Sequence, residues 1–214
     1  METAAEMKIV IVGSGGRLGA ALSREYSREH EVTAFDHSQM DLGPGDSIET
    51  LLNALNFDLL INCAALTNVD YCETHAEEAM QINGIAVRRM ASIAARKKAR
   101  VIHISTDYVF DGEKRVPYVE SDLASPISVY GKSKKLGEFE LFDHSDNNLA
   151  VRVSWVFGPD RPSFVDQILK RAMEFEQVEA IGDKFSAPAY TLDVARHLKP
   201  FLGGVGAGGS WPCG

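Results

Sequence analysis

Cysteine is scarce in this chain of 214 residues, and basic residues and long apolar runs are also in short supply. The three cysteines, Cys63, Cys72 and Cys213, are odd in number and lack the spacing of a metal site or of a disulfide framework. A reduced, cytoplasmic setting suits them best. The six histidines are scattered and form no ligand pattern, so we expect no catalytic metal.

The charge balance limits the partners that the chain can have. Lys and Arg number 22 against 30 Asp and Glu, which gives a net charge of -8. Nucleic-acid binding draws most of its affinity from basic residues, so we expect no nucleic-acid partner, although backbone amides can still hold a small anionic ligand. No apolar run approaches the about 20 residues of a membrane span, and the acidic start at Met1–Glu6 lacks the basic residues of a signal peptide. We therefore expect no membrane partner.

What the chain does have is an alternation of short β-branched runs with helical stretches. An apolar fraction of 45% and a charged fraction of 24% are ordinary for a globular protein and exclude a disordered, collagen-like or coiled-coil chain. The predicted strands are Lys8–Val12, Glu31–Phe35, Asp58–Ile61, Arg100–Ser105, Leu149–Val153 and, more weakly, Gln177–Ile181. The predicted helices are Arg17–His30, Ser47–Asn56, Ala76–Lys98, Ser133–Asp143 and Ser163–Glu176. This order predicts an α/β fold with a doubly wound parallel sheet of the Rossmann type.

A glycine-rich turn follows the first predicted strand. Gly13, Gly16 and Gly19 allow a tight turn, a close approach of the backbone to a ligand and close packing of the next helix. Together with Arg17 and Leu18 they begin a helix whose free amides can bind a pyrophosphate. A plain strand–helix turn is the alternative, but the position after the first strand favours dinucleotide binding.

The end of the second predicted strand bears on which dinucleotide is bound. Asp36 can accept hydrogen bonds from the adenosine ribose, which favours NADH because a 2′-phosphate would face a carboxylate. Arg17 could instead hold that phosphate and favour NADPH. Asp36 could also be an ordinary solvated carboxylate, so the choice between NADPH and NADH stays open at this point.

Tyr130 and Lys134 are four residues apart, which places both side chains on one face of a helix. A phenol has a pKa of about 10, and a nearby ammonium favours its ionised form. The pair can then act as an acid/base unit on a carbonyl or an alcohol, although a surface Tyr/Lys pair is the common alternative. Thr106 ends the fourth predicted strand, where ligands of parallel sheets bind, and its hydroxyl can reach a substrate oxygen or simply serve a turn.

Four longer motifs identify a family. They are Ile61–Asp70 (INCAALTNVD), Ser105–Gly112 (STDYVFDG), Pro126–Lys134 (PISVYGKSK) and Arg152–Gly158 (RVSWVFG). With them the chain resembles the extended short-chain dehydrogenase/reductases, most closely the dTDP-4-dehydrorhamnose reductases, from about Met7 to Leu198.

The resemblance implies a reaction and roles for the residues. The reaction is reduction of the 4-keto group of a dTDP-6-deoxy-hexulose by NADPH or NADH, on the way to dTDP-L-rhamnose. Tyr130 would supply the proton, Lys134 would tune Tyr130 and bind the nicotinamide ribose, and Thr106 would bond the reacting oxygen. The family also suggests a homodimer.

Further matched positions receive lesser roles from the resemblance. Those near the cofactor are Asp41, Leu42, Ala64, Ala65 and Thr67, and those near the sugar are Val69, Asn83 and Trp155. Asn83 could equally be an asparagine on a helix face, and Trp155 a core side chain.

The end of the chain departs from the family pattern. A Pro-Thr-Tyr motif reads Pro188-Ala189-Tyr190 here, within the segment from Ser186, so one hydroxyl is missing. Family members also continue past the helix around Asp193–Ala195, whereas this chain runs into the glycine-rich stretch Gly203–Gly214. We therefore predict a cofactor-binding domain at 1–158, an incomplete C-terminal substrate lobe at 159–202 and a glycine-rich tail at 203–214.

Two other functions fit the same residues. One is a non-catalytic module like the regulatory subunits of methionine adenosyltransferase, which share the fold and act by association. The other is a reductase or epimerase for a different nucleotide sugar. An intact set of Thr106, Tyr130 and Lys134 favours an enzyme, and the short C-terminus favours the module.

Overall fold

Five parallel strands form one sheet in the computed structural model, which describes residues 6–179 and 187–203. The strands are β1 (Lys8–Val12), β2 (Glu31–Phe35), β3 (Leu59–Asn62), β4 (Arg100–Thr106) and β5 (Leu149–Val153). Their order is β2-β1-β3-β4-β5, and every neighbouring pair is parallel. β3 is buried along its whole length, as a strand covered on both faces must be.

Helices cover both faces of the sheet, which confirms the doubly wound α/β fold. They are α1 (Arg17–Tyr26), α2 (Ser47–Ala54), α3 (Val69–Thr74), α4 (Ala76–Met80), α5 (Ala86–Arg96), α6 (Val129–Phe142), α7 (Phe164–Glu174) and α8 (Thr191–Leu198). Val10 and Val12 of β1 pack in the core that α2, α5 and α6 cover. Ile9 and Ile11, which point the other way, pack in the core that α1 and α8 cover.

The strand predictions were accurate except for the weakest one. The bounds of β1, β2 and β5 are as predicted, while β3 lies one residue later and β4 includes Thr106. The candidate at 177–181 forms no strand at 177–179, and its last two residues lie outside the described part of the chain.

Three helix predictions were wrong in their bounds. The helix expected at Arg17–His30 ends at Tyr26. The single helix expected at Ala76–Lys98 is interrupted by a π-helical turn at Gln81–Ile85, and a left-handed Lys98 (φ 59°) follows its end. α6 begins at Val129 rather than Ser133, because the Ser128 side chain accepts a hydrogen bond of 3.0 Å from the Gly131 N–H and caps the helix there.

Close packing fixes α6 beside the sheet. A Cβ atom on Gly131 would lie 2.2 Å from the Tyr108 carbonyl oxygen, and one on Gly137 would lie 2.3 Å from the Asn83 carbonyl oxygen. Only glycine permits these approaches. The same Cβ on Gly137 would lie 3.2 Å from His103 Nε2, so α6 lies close against β4.

The segment after β5 packs more loosely. α7 has no buried residue, although its sequence is strongly amphipathic. α8 does reach the core, where Ala195 and Leu198 are buried. Cys213 and the glycine-rich stretch from residue 204 onward lie outside the described residues.

Candidate active site

A cavity of about 1300 Å³ opens at the carboxyl ends of the strands. It spans β1 and β3, between which the strand order reverses, and this is where ligands of open parallel sheets bind. Its wall includes every residue predicted to bind cofactor or substrate except Asn83. The predicted residues that line it are Gly13, Gly16, Arg17, Leu18, Gly19, Asp36, Asp41, Leu42, Ala64, Ala65, Thr67, Val69, Thr106, Tyr130, Lys134 and Trp155.

The glycine turn is built for close approach. Gly13 has a φ of +85°, and a Cβ atom there would lie 2.6 Å from the Ala64 nitrogen. A Cβ on Gly19 would lie 2.2 Å from the Gly13 carbonyl oxygen, so α1 packs directly on the turn. Gly16 begins α1 without any side-chain cap, which leaves the helix N-terminus facing the cavity.

Acidic and basic side chains both line the part of the cavity where we expect the adenosine: Asp36, Arg17 and Arg161. Asp36 follows β2, and hydrogen bonds from the Ser38 hydroxyl (2.7 Å) and N–H (2.8 Å) lower the pKa of its carboxyl. Arg17 donates to the Pro162 carbonyl instead of pointing freely at the cavity. Arg161, beside Pro162, also lines the cavity and supplies a second guanidinium.

Tyr130 and Lys134 lie one turn apart on α6, both buried at the cavity wall. The Lys134 amine donates to the Ile104 carbonyl at 2.7 Å and lies 3.0 Å from His103 Nε2. The ring of Tyr108 meets that of Tyr130 edge-on, with 5.6 Å between centroids. These contacts hold both side chains against β4.

Burial sets the ionisation of this pair. It raises the pKa of Tyr130 to about 12, against the smaller lowering effect of its hydrogen bond with Thr106. It lowers the pKa of Lys134 to about 7. Lys134 is not among the groups that lower the pKa of Tyr130 in the free protein, so the expectation that it would do so is not met there. Tyr130 is a phenol at neutral pH, as an ordinary tyrosine is, and burial extends that form to higher pH.

A hydroxyl–carboxylate chain positions Thr106 at the end of β4. Its hydroxyl donates to Asp107 Oδ1 at 3.0 Å and accepts from the Tyr108 N–H at 3.2 Å. The Ser154 hydroxyl donates to the other Asp107 oxygen at 2.6 Å. Asp107 thus ties the end of β4 to the residue that follows β5.

Asn83 lies behind the cavity wall, fully buried in the π-helical turn. Its amide accepts from the Leu66 N–H at 2.8 Å and donates to the Leu66 carbonyl at 3.0 Å and to the Ser133 hydroxyl at 2.9 Å. All of these bonds stay within the protein. In this structure Asn83 fixes the loop after β3 to α6 and does not face the cavity.

Trp155 forms part of the opposite wall. Its φ of +42° is left-handed, a conformation that non-glycine residues adopt at a cost of about 1–3 kcal/mol and often at functional sites. Its ring meets that of Phe164 edge-on at 5.1 Å. The altered motif lies nearby: Pro188 lines the cavity, and the Ala189 N–H bonds the Ser154 carbonyl at 3.0 Å. That pairing uses only the backbone of Ala189.

Several wall residues were not predicted individually. Asp107 and Tyr108 directly follow Thr106, and their position at the end of a buried strand was a usable signal. Arg161, Ser163 and Phe164 lie far along the chain, and no local pattern places them at the cavity.

The described residues show two further absences. They contain no group of three His, Cys, Asp or Glu side chains placed to hold a metal ion. None of the helices in 6–179 and 187–203 is long and apolar enough to cross a bilayer.

Comparison with known proteins decides the family. The model of the RmlD substrate binding domain matches residues 7–205. The chain belongs to this family. Among its relatives, the dTDP-4-dehydrorhamnose reductase of Aggregatibacter actinomycetemcomitans is 35% identical over 193 residues, which cover 89% of this chain and 66% of that protein. The spore coat polysaccharide biosynthesis protein SpsK of Bacillus subtilis is 36% identical over 189 residues, covering 88% and 67%.

Solved structures of the RmlD family share the fold. The dTDP-4-dehydrorhamnose reductase of Bacillus anthracis, crystallised with NADP, has a TM-score of 0.88 at 29% identity, covering 93% of this chain and 71% of that one. The Clostridium acetobutylicum orthologue has a TM-score of 0.86 at 32% identity, covering 91% and 69%. The chain thus spans about two thirds of the length of these relatives.

Proposed function

We propose that this chain acts in the reduction of the 4-keto group of a dTDP-6-deoxy-hexulose, with NADPH or NADH as the reductant. The observation that carries the proposal is the joint placement of Thr106, Tyr130 and Lys134 in one cavity with the glycine turn. Membership of a family whose relatives include dTDP-4-dehydrorhamnose reductases supplies the substrate class.

The residues present fit a dinucleotide. The uncapped N-terminus of α1 at Gly16 offers its free N–H groups to a pyrophosphate. Asp36 lies where an adenosine ribose would be bound, and the cavity continues from there to Tyr130 and Lys134. Asp36 and Arg161 both lie beside Gly15, so both NADPH and NADH are compatible with this end of the site.

The chain's own residues supply the proton. When bound, the cofactor provides the hydride for the keto carbon. Tyr130 Oη, a phenol at neutral pH, donates its proton to the keto oxygen, which becomes the hydroxyl of the product. Thr106 would bond that oxygen by turning its hydroxyl hydrogen away from Asp107 Oδ1, to which it donates in the free protein. Lys134 bonds the nicotinamide ribose.

The experiment is a cofactor-consumption assay with the purified chain. Incubated with dTDP-4-dehydrorhamnose and NADPH or NADH, it should consume the reduced cofactor only when the sugar is present. Cofactor that binds but is never consumed would contradict the reductase and favour the regulatory module. Conversion of a nucleotide sugar without net consumption would favour an epimerase.

We further propose that the protein is cytoplasmic and forms a homodimer. The thiols of Cys63 and Cys72 are both free, and burial raises the pKa of each, which suits a reducing cytoplasm. A homodimer is the assembly expected from the family resemblance. Sedimentation analysis of the purified chain should show a species of twice the chain mass, and a monomer at all concentrations would remove this part of the proposal.

A further inference from the structure

His103 lies in the middle of β4, completely buried, with a polar partner on each ring nitrogen. Its Nδ1 lies 3.1 Å from the side-chain nitrogen of Asn62, and its Nε2 lies 3.0 Å from the amine of Lys134. Neither His103 nor Asn62 has a place in the chemistry described above. Because both of their side chains are fully buried, the hydrogens between them and Lys134 must be arranged consistently.

The orientation of the Asn62 side-chain amide is fixed by a contact that does not involve the His103 ring. The Ala64 N–H donates to Asn62 Oδ1 at 3.0 Å, so the oxygen of the amide must face Ala64. The amide NH2 therefore faces His103 and can only donate. His103 Nδ1 must accept that bond and carries no hydrogen.

The tautomer of His103 then determines what Lys134 can be. Burial and the neighbouring Lys134 hold the pKa of His103 well below its usual value, so the ring is neutral. A neutral ring without hydrogen on Nδ1 carries it on Nε2, facing the Lys134 nitrogen. An ammonium has no lone pair to accept that hydrogen, whereas an amine has one.

The acidic groups around Lys134 do not offset its burial: Glu138 raises the pKa of Lys134 by less than burial lowers it. On α6, the carboxylate of Glu138 is one turn away but is already paired with Arg152 of β5 through two bonds of 2.7 and 2.9 Å. It also accepts from the Ser105 hydroxyl of β4. Tyr130 of α6 and Cys63, which follows β3, are both protonated at neutral pH. None of the carboxylates in the described residues forms an ion pair with Lys134.

We propose that His103 is a positioning residue that favours the neutral amine form of Lys134 in the free protein, with the His103 Nε2–H donating to Lys134 Nζ. The amine keeps two hydrogens. One bonds the Ile104 carbonyl, and the other is free for a ligand hydroxyl in the cavity. Protonating Lys134 would require His103 to move its hydrogen to Nδ1 and Asn62 to turn, which would break its bond to Ala64, part of the proposed cofactor cradle.

The protonation state can be read directly in the free protein. Labelling lysine with ¹³C at Cε and titrating by NMR reports each amine, and Lys134→Met assigns the signal. We expect Lys134 to titrate near pH 7, in line with its lowered pKa of about 7. A Lys134 that remains an ammonium above pH 9 would overturn the proposal without any further variant.

Two substitutions test the role of the ring itself. In Asn62→Asp the carboxylate accepts a hydrogen bond from His103 Nδ1–H, so His103 Nε2 becomes an acceptor for the Lys134 ammonium. The titration midpoint of Lys134 should then rise by at least about one pH unit, which is a tenfold change in its protonation equilibrium. His103→Gln, whose carbonyl oxygen can accept from an ammonium, should raise it as well. In a His103→Leu background, Asn62→Asp should lose most of its effect. An equal shift in both backgrounds would show simple charge attraction and contradict the proposal.

A matched control lies directly before β5. Asn148 is also buried, accepts from the Val101 N–H at the start of β4 and donates to the Leu141 carbonyl. Asn148→Asp should leave the Lys134 midpoint unchanged. The catalytic importance of the arrangement rests on the proposed function, but the titration does not, so the two can fail separately.

Discussion

The part of the chain up to β5 and the segment that follows it use their apolar side chains differently. In the first part, the inner strands β1, β3 and β4 are buried along most of their length, and Leu60 in β3 is completely buried. In the second, α7 has no buried residue, and Leu169 and Met173 are 58% and 89% exposed. Tyr130 and Lys134 belong to the densely packed part, whereas Trp155 and Phe164 belong to the loose one. Rigid packing is therefore found where the reacting groups must be aligned.

The largest contrast should appear when leucine is shortened in each part. Leu60→Ala removes a fully buried side chain and should lower the free energy of unfolding by about 2–5 kcal/mol. Leu169→Ala should change it by less than about 0.5 kcal/mol, as for other exposed positions. Urea unfolding of both variants measures this. An equal loss in Leu169→Ala would mean that α7 is packed against something in solution.

Replacing one glycine from each part of the chain by alanine should give the next largest difference in stability. Gly13→Ala forces a residue with φ +85° to carry a Cβ only 2.6 Å from the Ala64 nitrogen. We expect a loss of at least about 1–3 kcal/mol from backbone strain and contact, together with weaker dinucleotide binding. Gly203→Ala, where an added Cβ meets nothing within 4 Å, is the control. Thermal unfolding and a cofactor titration separate the two variants, and equal behaviour would contradict the close approach at Gly13.

The strands and the glycine turn could be predicted from the sequence because both are local signals. Apolar runs such as Lys8–Val12 show burial on both faces directly. The interruption at Gln81–Ile85 could not, because it depends on how Asn83 and Gly84 meet α6. The wall formed by Arg161 and Phe164 was missed for a similar reason, since tertiary packing alone brings that segment to the cavity. The chemical pair Tyr130/Lys134 was visible from its spacing, but its ionisation depends on burial.

That burial predicts a pH dependence of stability. The pKa of Lys134 is lowered to about 7 in the fold, while an unfolded chain keeps the ordinary value of 10.5. Between these values the unfolded state binds more protons, so stability rises with pH. From pH 7 to pH 8 this contributes roughly 1 kcal/mol.

Lys134→Met should flatten this rise, as measured by urea unfolding at the two pH values. Lys199→Met, in the later segment with its side chain half exposed, should keep the wild-type rise. An unchanged rise in Lys134→Met would show that Lys134 is not the group responsible.

The smallest effect concerns cofactor choice, where the two parts of the chain meet. Asp36→Ala removes a carboxylate from the adenosine end and should increase affinity for NADPH relative to NADH several-fold. Arg161→Ala removes positive charge from the same end and should shift the preference the other way. Titrating each variant with both cofactors measures the ratio. If the ratio of NADPH to NADH affinity shifts in the same direction in both variants, the charges of Asp36 and Arg161 do not set the cofactor preference.

In the proposed reaction Tyr130, a buried phenol, supplies the proton. The most direct measurement is the turnover rate of Tyr130→Phe with dTDP-4-dehydrorhamnose and reduced cofactor, beside its cofactor affinity. Tyr71→Phe, which removes the hydroxyl of an exposed tyrosine, is the control. We predict that Tyr130→Phe slows turnover by about 10²–10⁴-fold with cofactor affinity nearly unchanged, while Tyr71→Phe behaves as wild type. Turnover retained in Tyr130→Phe would contradict the account.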